Sequence, residues 1–494
     1  MLGISSRFLR YVGLASIALG AFAGCGGGSG SSNNTNTNGN FVVPGTSPFV
    51  NASMATRDVC QVNSHVAGRA RWTVLVYLNA ASNLQPFSLL NVAQMASIGS
   101  NADLNIVVQW KQTATTRFFS GVPAPTNPSF VGTRRYKISK HSQADLDKID
   151  PPSSGTTGDT TPLDIDRLPD PPTNTLNDNG NPTADMGDYH TLRDFVQWGQ
   201  ANFPADQTAL VVWDHGSGAL NVDNRAVHGK KNSPAVRRGF SQDVFTGHQI
   251  ATQELPLALT GLAKLDALIV DCSLQGTTEM AYDARNLARV YIGSEESPPG
   301  AGYPYDVWLN YLANNIASPC SSGQALINAT VAEYPTQSNV TQSMIDLTKM
   351  DAVGAALNTL GGSLNNYTAA GATWIKQARQ NSQYFEFFEY KDLYHFANNV
   401  RTTSGVPADA AQSAANLQSA LNGATGAILL SSHGSATDST GFNEKLANGL
   451  SIFFPGPNTP SSVDGTTGFD PQWNNLGLAR VAPNWATFLQ NQQQ

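Results

Sequence analysis

Charge is scarce in this chain. Only 13% of its 494 residues are Asp, Glu, Lys or Arg, and the formal net charge is −7. No basic stripe runs along any segment, which argues against a surface built to neutralise nucleic-acid phosphates. After the N-terminus no apolar run is long enough to read as a membrane-spanning helix. Cysteine and histidine never meet at zinc-ligand spacing, and neither a dinucleotide glycine fingerprint nor a phosphate loop occurs. Asn, Gln, Ser, Thr and Gly take the place of charge, a composition suited to an exported protein with a polar, weakly charged surface.

The N-terminus supports export. Arg7 and Arg10 precede an apolar run from Tyr11 to Ala23, too short for a comfortable span and readable as a signal h-region. It ends Ala21-Phe22-Ala23-Gly24-Cys25, which resembles a bacterial lipobox in which Cys25 would be acylated. Plain secretion by the same kind of signal is the other outcome. Gly26 to about Asn40 is a Gly, Ser, Asn and Thr tether without core-forming residues. Four cysteines occur, and with Cys25 assigned to lipid three remain. In an oxidising compartment three suggest one disulfide and one free thiol. A Cys60–Cys320 pairing would leave Cys272 free, but spacing alone does not select it.

From about Ala67 the chain alternates apolar β-rich runs with helical periods. Trp72–Leu78 and Leu104–Gln109 read as buried parallel strands, joined by a helix capped by Ser82 and running to Ile98. Residues 145–185 break the rhythm with Pro, Asp, Thr, Gly and Asn. They read as a solvated acidic excursion and lack the spacing of an EF-hand loop. The alternation resumes with the helix Thr191–Phe203, the strand Ala209–Trp213, the helix Ala251–Leu262 and the strand Leu265–Val270. The helix Gly276–Leu287 and the strand Arg289–Ile292 follow. Beyond about 340 helices dominate, at Ala352–Leu364, Tyr384–Val400 and Ala408–Leu421, with strands at Gly426–Leu430 and Leu450–Phe454. This order predicts a three-layer α/β fold around a mostly parallel sheet, with function at the carboxyl ends of its strands.

Two such ends carry chemistry. One strand runs into Trp213-Asp-His-Gly-Ser-Gly218 and another into Asp271-Cys272-Ser273. An imidazole beside a thiol and a hydroxyl suits nucleophilic catalysis. With Trp72 to Asn79, Asp185 to Asp188, Gly293 to Glu296, Gly300 to Tyr305 and Gly449 to Pro455, these motifs resemble the clostripain-type cysteine peptidases of the caspase–hemoglobinase fold. The likeness runs from about Trp72 to Pro455.

The resemblance implies an endopeptidase that cleaves after Arg or Lys, with His215 as base and acid. The family nucleophile falls at Ser273, 58 residues beyond His215, while Cys272 takes the place of the family's Ala. Position therefore favours Ser273 and chemistry favours Cys272, and both stay candidates. The Gly216 amide is the expected oxyanion donor, and Asp271, Glu295 and Glu296 the expected acids for a cationic substrate side chain. His433, also followed by glycine, reads as a loop residue. The dibasic sites between Arg225 and Arg238 suit self-cleavage or a solvated loop equally.

The reaction needs no cofactor, although some family members respond to calcium. The partners implied are a peptide or protein substrate and, through Cys25, a membrane of the bacterial cell envelope; nucleic acid is not among them. A catalytically inactive, surface-anchored peptide-binding protein is the competing reading, motivated by Ser273. The expected organisation is a signal peptide over 1–25, a tether over 26–66 and a caspase-like peptidase domain over 67–340. A helix-rich region over 341–494 continues or packs on the sheet.

Overall fold

A computed structural model describes residues 48–115, 128–152, 157–219, 239–368, 372–439, 441–456 and 471–492. Cys25, residues 26–47 of the expected tether and the dibasic sites between Arg225 and Arg238 lie outside the described residues; residues 48–66, also expected as tether, are structured. The strands, in chain order, are β1 (Phe49–Val50), β2 (Ala70–Asn79), β3 (Leu104–Gln112), β4 (Gly132–Lys137), β5 (Arg167–Leu168), β6 (Leu176–Asp178), β7 (Asn181–Thr183) and β8 (Ala205–Trp213). They continue as β9 (Gly239–Asp243), β10 (His248–Ala251), β11 (Leu265–Asp271), β12 (Ala288–Gly293), β13 (Thr341–Asp346), β14 (Tyr390–Asp392), β15 (Ile428–His433) and β16 (Ser451–Phe453).

Ten of them form one sheet in the order β1-β15-β13-β12-β11-β8-β2-β3-β4-β5. The five central strands, β12-β11-β8-β2-β3, pair in parallel, while the outer pairings are antiparallel. The central strands are nearly continuous runs of buried apolar residues, as a sheet covered on both faces requires.

Alternation along these strands sorts the core into two layers. Leu75, Tyr77, Leu210, Val212, Leu268 and Val270 face one layer, whose helices include Tyr189–Asn202, Thr278–Ala284 and Met350–Thr368. Val74, Val76, Val211, Trp213, Ala267 and Ile269 face the other, covered by the helices Gln85–Ile98, Tyr305–Asn314 and Pro319–Glu333. The region beyond residue 340 contributes β13 and β15 to the main sheet as well as helices to one face.

Several local expectations shift. The helix expected at Ala251–Leu262 is the end of β10, a short turn of helix and Leu255–Leu259. Tyr384–Glu389, expected as helix, is a loop leading into β14, and the helix begins at Leu393. Tyr384 packs against Phe388 and Phe442, and Tyr390 against Phe453, so tertiary contacts override helical periodicity. Ser82 does not cap the first helix, which starts at Gln85. Its hydroxyl accepts from the Leu84 amide at 3.2 Å and donates to Asp214 Oδ1 at 3.3 Å.

The N-terminal segment is tied to the far edge of the sheet. β1 pairs with β15, Arg57 bonds Asp346 at 2.9 Å, and a Cys60–Cys320 disulfide closes a sequence separation of 260 residues. Cys272 is free and buried. Replacing Cys60 and Cys320 together with serine is expected to cost about 2–5 kcal/mol by releasing the unfolded chain from this long closure. Thermal or denaturant unfolding under non-reducing conditions checks it; an unchanged midpoint would show that the cross-link does not stabilise the fold.

Candidate active site

The site forms where β8 and β11 end side by side. Their parallel register places Trp213 beside Asp271, and the Asp214 amide reaches the Asp271 carbonyl at 3.4 Å. From there the two chains diverge: one turns into His215 and Gly216, the other into Cys272, Ser273 and the helix Thr278–Ala284.

Gly216 makes the contact between them. A Cβ on it would lie 2.3 Å from the Ser273 carbonyl oxygen and 2.9 Å from Cys272 Cβ, so only glycine lets the loops approach this closely. Gly218 has φ +77, and an added Cβ would collide with the Tyr390 ring at 2.3 Å. The loop is held from below by β9: Gly216 bridges Phe240, and the Ser217 amide donates to the Gly239 carbonyl at 3.1 Å. Gln275 closes the same corner, its Nε2 donating to the Gly239 carbonyl at 3.1 Å.

Ser273 and Cys272 sit in different surroundings. Cys272 continues the face of Val270 and joins the core layer of Val212 and Tyr77. It is 2% exposed, and its thiol points at the Val212 carbonyl, 3.5 Å away. No bulge interrupts the pairing of β11 with either neighbour, so the thiol stays on the core side. Burial pushes the thiol well above its usual range, and the nearby carboxyls of Asp214 and Asp271 push the same way. Ser273 is half-buried, and the next residue, Leu274, has φ 61. A leucine in the left-handed region is strained, and such strain concentrates at functional turns.

His215 is half-buried, with its Nε2 2.6 Å from Asn83 Oδ1. Desolvation lowers its pKa to about 4, so the ring is neutral at neutral pH. Neither Ser273 nor Cys272 is hydrogen-bonded to it.

The expected substrate-binding acids are buried too. Asp271 turns to the opposite layer, where its Oδ2 accepts from the Tyr305 hydroxyl at 2.9 Å and the Tyr303 amide at 3.3 Å. Burial raises it to about 7. Glu295 and Glu296 follow the strand end of β12, and the Glu296 carbonyl accepts from the Leu274 amide at 3.2 Å. Their carboxyls point elsewhere. Glu295 Oε2 accepts from the Gly449 amide at 2.9 Å, and Glu296 Oε1 from the amides of Ser297 at 2.8 Å and Glu386 at 3.1 Å. Asp392 lies beside Glu295 and Glu444 beside Glu296. Desolvation raises Glu296 to about 8 and Asp392 to about 6. Among the described residues no group of three or more His, Cys, Asp or Glu is arranged to hold a metal ion.

Sequence reading passed over Asn83, Gln275, Tyr390, Asp392 and Glu444. Asn83 lies one residue past Ser82 at the exit of β2, and its position at a strand end was the one available signal. His433 closes β15, opposite Thr341, three strands away from β11.

The family model of the clostripain family matches residues 76–464. The chain belongs to the clostripain family. Clostripain of Hathewaya histolytica is 23% identical over 449 residues, covering 81% of this chain and 78% of that protein. Among solved structures, an inactive zymogen C11 protease from Parabacteroides distasonis superposes with a TM-score of 0.55 at 14% identity. A secreted C11 cysteine protease from Bacteroides thetaiotaomicron, bound to an irreversible peptide inhibitor, gives 0.53 at 16%. Each covers 84% of this chain and 99% of its own. Membership in this peptidase family fits the caspase-like architecture of the sheet. Among the described residues no helix is long and apolar enough to cross a membrane.

The neutral carboxyls set a stability trend. Glu296 keeps its proton to about pH 8, whereas an ordinary glutamate loses it near 4.5. Its contribution is therefore fully present below about pH 4.5 and is lost as the pH rises through about 8. Glu296→Gln retains a neutral group, so its melting temperature relative to wild type is expected to rise steadily from about pH 5 to about pH 8.5. A difference independent of pH would contradict the buried, protonated assignment.

Proposed function

We propose that this chain is an exported endopeptidase that cleaves after Arg or Lys, with Ser273 as nucleophile and His215 as base. The observation that carries the reading is the seating of the His215–Gly216 loop on Ser273, half-exposed and followed by the strained Leu274. Ser273 has the position and the solvent access, whereas Cys272 has a thiol buried on the core side. A hydroxyl is a poor nucleophile until a base removes its proton during attack. A neutral His215 can take that proton and later return it to the leaving amine. The absence of a His215–Ser273 hydrogen bond is compatible with this role, because such contacts often tighten only around substrate. The Gly216 and Ser273 amides would face the developing oxyanion.

The preference for basic residues rests on the family resemblance. In this structure the carboxyls of Asp271, Glu295 and Glu296 are enclosed and bonded to Tyr305, Gly449, Ser297 and Glu386, so a substrate guanidinium or ammonium would reach them only after these contacts open. The chain would reach the envelope through its signal segment and stay there through acylated Cys25. No step requires calcium.

The second reading is a peptide-binding protein without catalysis. It is favoured by the same His215–Asn83 contact, which leaves the imidazole bonded away from Ser273.

Hydrolysis of fluorogenic Arg, Lys and neutral peptides by wild type and variants separates the two. His215→Ala and Ser273→Ala are expected to lower kcat at least about 100-fold. Cys272→Ala is expected to leave kcat within about fivefold, with a stability cost from the lost buried group. Ser273→Cys is expected to raise kcat, since a thiol ionises far more readily. Loss of activity in Cys272→Ala with retention in Ser273→Ala would overturn the nucleophile assignment. An inactive wild type that still binds Arg peptides would establish the binding reading.

A further inference from the structure

A serine nucleophile needs a base that is held in one orientation and one tautomer. The adjacent carboxylate, Asp214, does not supply this. It is buried beneath the loop, where it accepts from the backbone amides of His215 and Gln242 and from the Ser82 hydroxyl. The ring of His215 is instead bonded by Asn83, whose Oδ1 lies 2.6 Å from Nε2. We propose that Asn83 is the positioning residue of this site, holding His215 as the Nε2–H tautomer and leaving Nδ1 as the basic nitrogen for Ser273.

The support around Asn83 is rigid. It leaves β2 on a stretch stitched at each step: the Ala80 amide donates to the Lys111 carbonyl at 3.0 Å, and the Ala81 carbonyl accepts from the Val244 amide at 3.0 Å. Ser82 then bonds both Leu84 and Asp214. Asn83 is thereby fixed to β3, to the turn after β9 and to the residue preceding His215. An amide oxygen in this place orients the ring without adding a charge. Once Nδ1 accepts the Ser273 proton, the imidazolium at Nε2 is stabilised by the carbonyl dipole alone. That suits a base that must remain unprotonated between turnovers.

The catalytic part of this inference rests on reading His215 as the base, so two independent readouts are needed. The ring ¹⁵N shifts of His215, identified by their loss in His215→Ala, report tautomer and pKa whether or not the protein hydrolyses peptides. In wild type they are expected to show protonation at Nε2. In Asn83→Ala the single tautomer is expected to give way to a mixture, with kcat falling about 10- to 100-fold and KM moving less than about twofold. Asn83→Asp keeps an acceptor and adds charge, so it is expected to restore the tautomer and raise the His215 pKa by about one unit or more. The acid limb of its pH–rate profile should move up accordingly. A wild type protonated at Nδ1, or an Asn83→Ala protein with unchanged ring shifts, would overturn the proposal; should Asn83→Ala fail to fold, an unmoved pKa in Asn83→Asp does the same. If the ring responds as expected while wild type hydrolyses nothing, the orientation by Asn83 stands and the catalytic reading fails.

Discussion

Everything at this site depends on the parallel pairing of β8 with β11. Val211 lies opposite Ile269, Val212 opposite Val270 and Trp213 opposite Asp271, so both strands end at the same level. A slip of one residue would exchange the faces of every side chain beyond it. It would turn Cys272 to the side that Asp271 now faces and turn Ser273 into the core layer that Cys272 now fills. The register is over-determined because both faces of both strands are buried, between two layers of helices that cannot exchange partners. The separation of Cys272 from Ser273 is thus a property of the whole sheet rather than of the turn that carries them.

Desolvation is the electrostatic counterpart of that packing. The site and its surroundings hold His215 below its ordinary range, and Cys272, Asp271, Glu295 and Glu296 above theirs, each with burial as the leading cause. His215 and Glu296 are therefore neutral at pH 7, while Asp271 titrates close to it. A thiolate–imidazolium pair, the usual starting state of a cysteine peptidase, has no support here. A neutral imidazole oriented by an amide beside a neutral hydroxyl does.

Much of this was legible in the residues. Runs such as Trp72–Leu78 and Leu265–Val270 are apolar on both faces, so they announce buried parallel strands. The residues that follow them, His215 and Asp271 to Ser273, stand out as polar groups at apolar ends. The strict alternation of a strand also foretells that Cys272 and Ser273 diverge. What the residues do not announce depends on distant partners. Asn83 acquires meaning only because β2 lies beside β8. The Tyr384–Asp392 stretch has helical spacing, yet Tyr390 is claimed by Gly218 and Asp392 by Glu295 and the Asn448 amide. Carboxyls at Asp271 and Glu296 look like exposed substrate ligands in sequence and are enclosed by Tyr305, Ser297 and Glu386 in space.

Under the proposed mechanism, position rather than thiol chemistry defines the nucleophile. A peptidyl-arginine phosphonate ester, which forms a covalent bond with an activated serine oxygen, followed by mass mapping of the modified peptide, tests it most directly. A single adduct on Ser273 that disappears in His215→Ala is expected. Modification at Cys272, or no adduct on a protein shown to bind the same arginyl peptide, would contradict it.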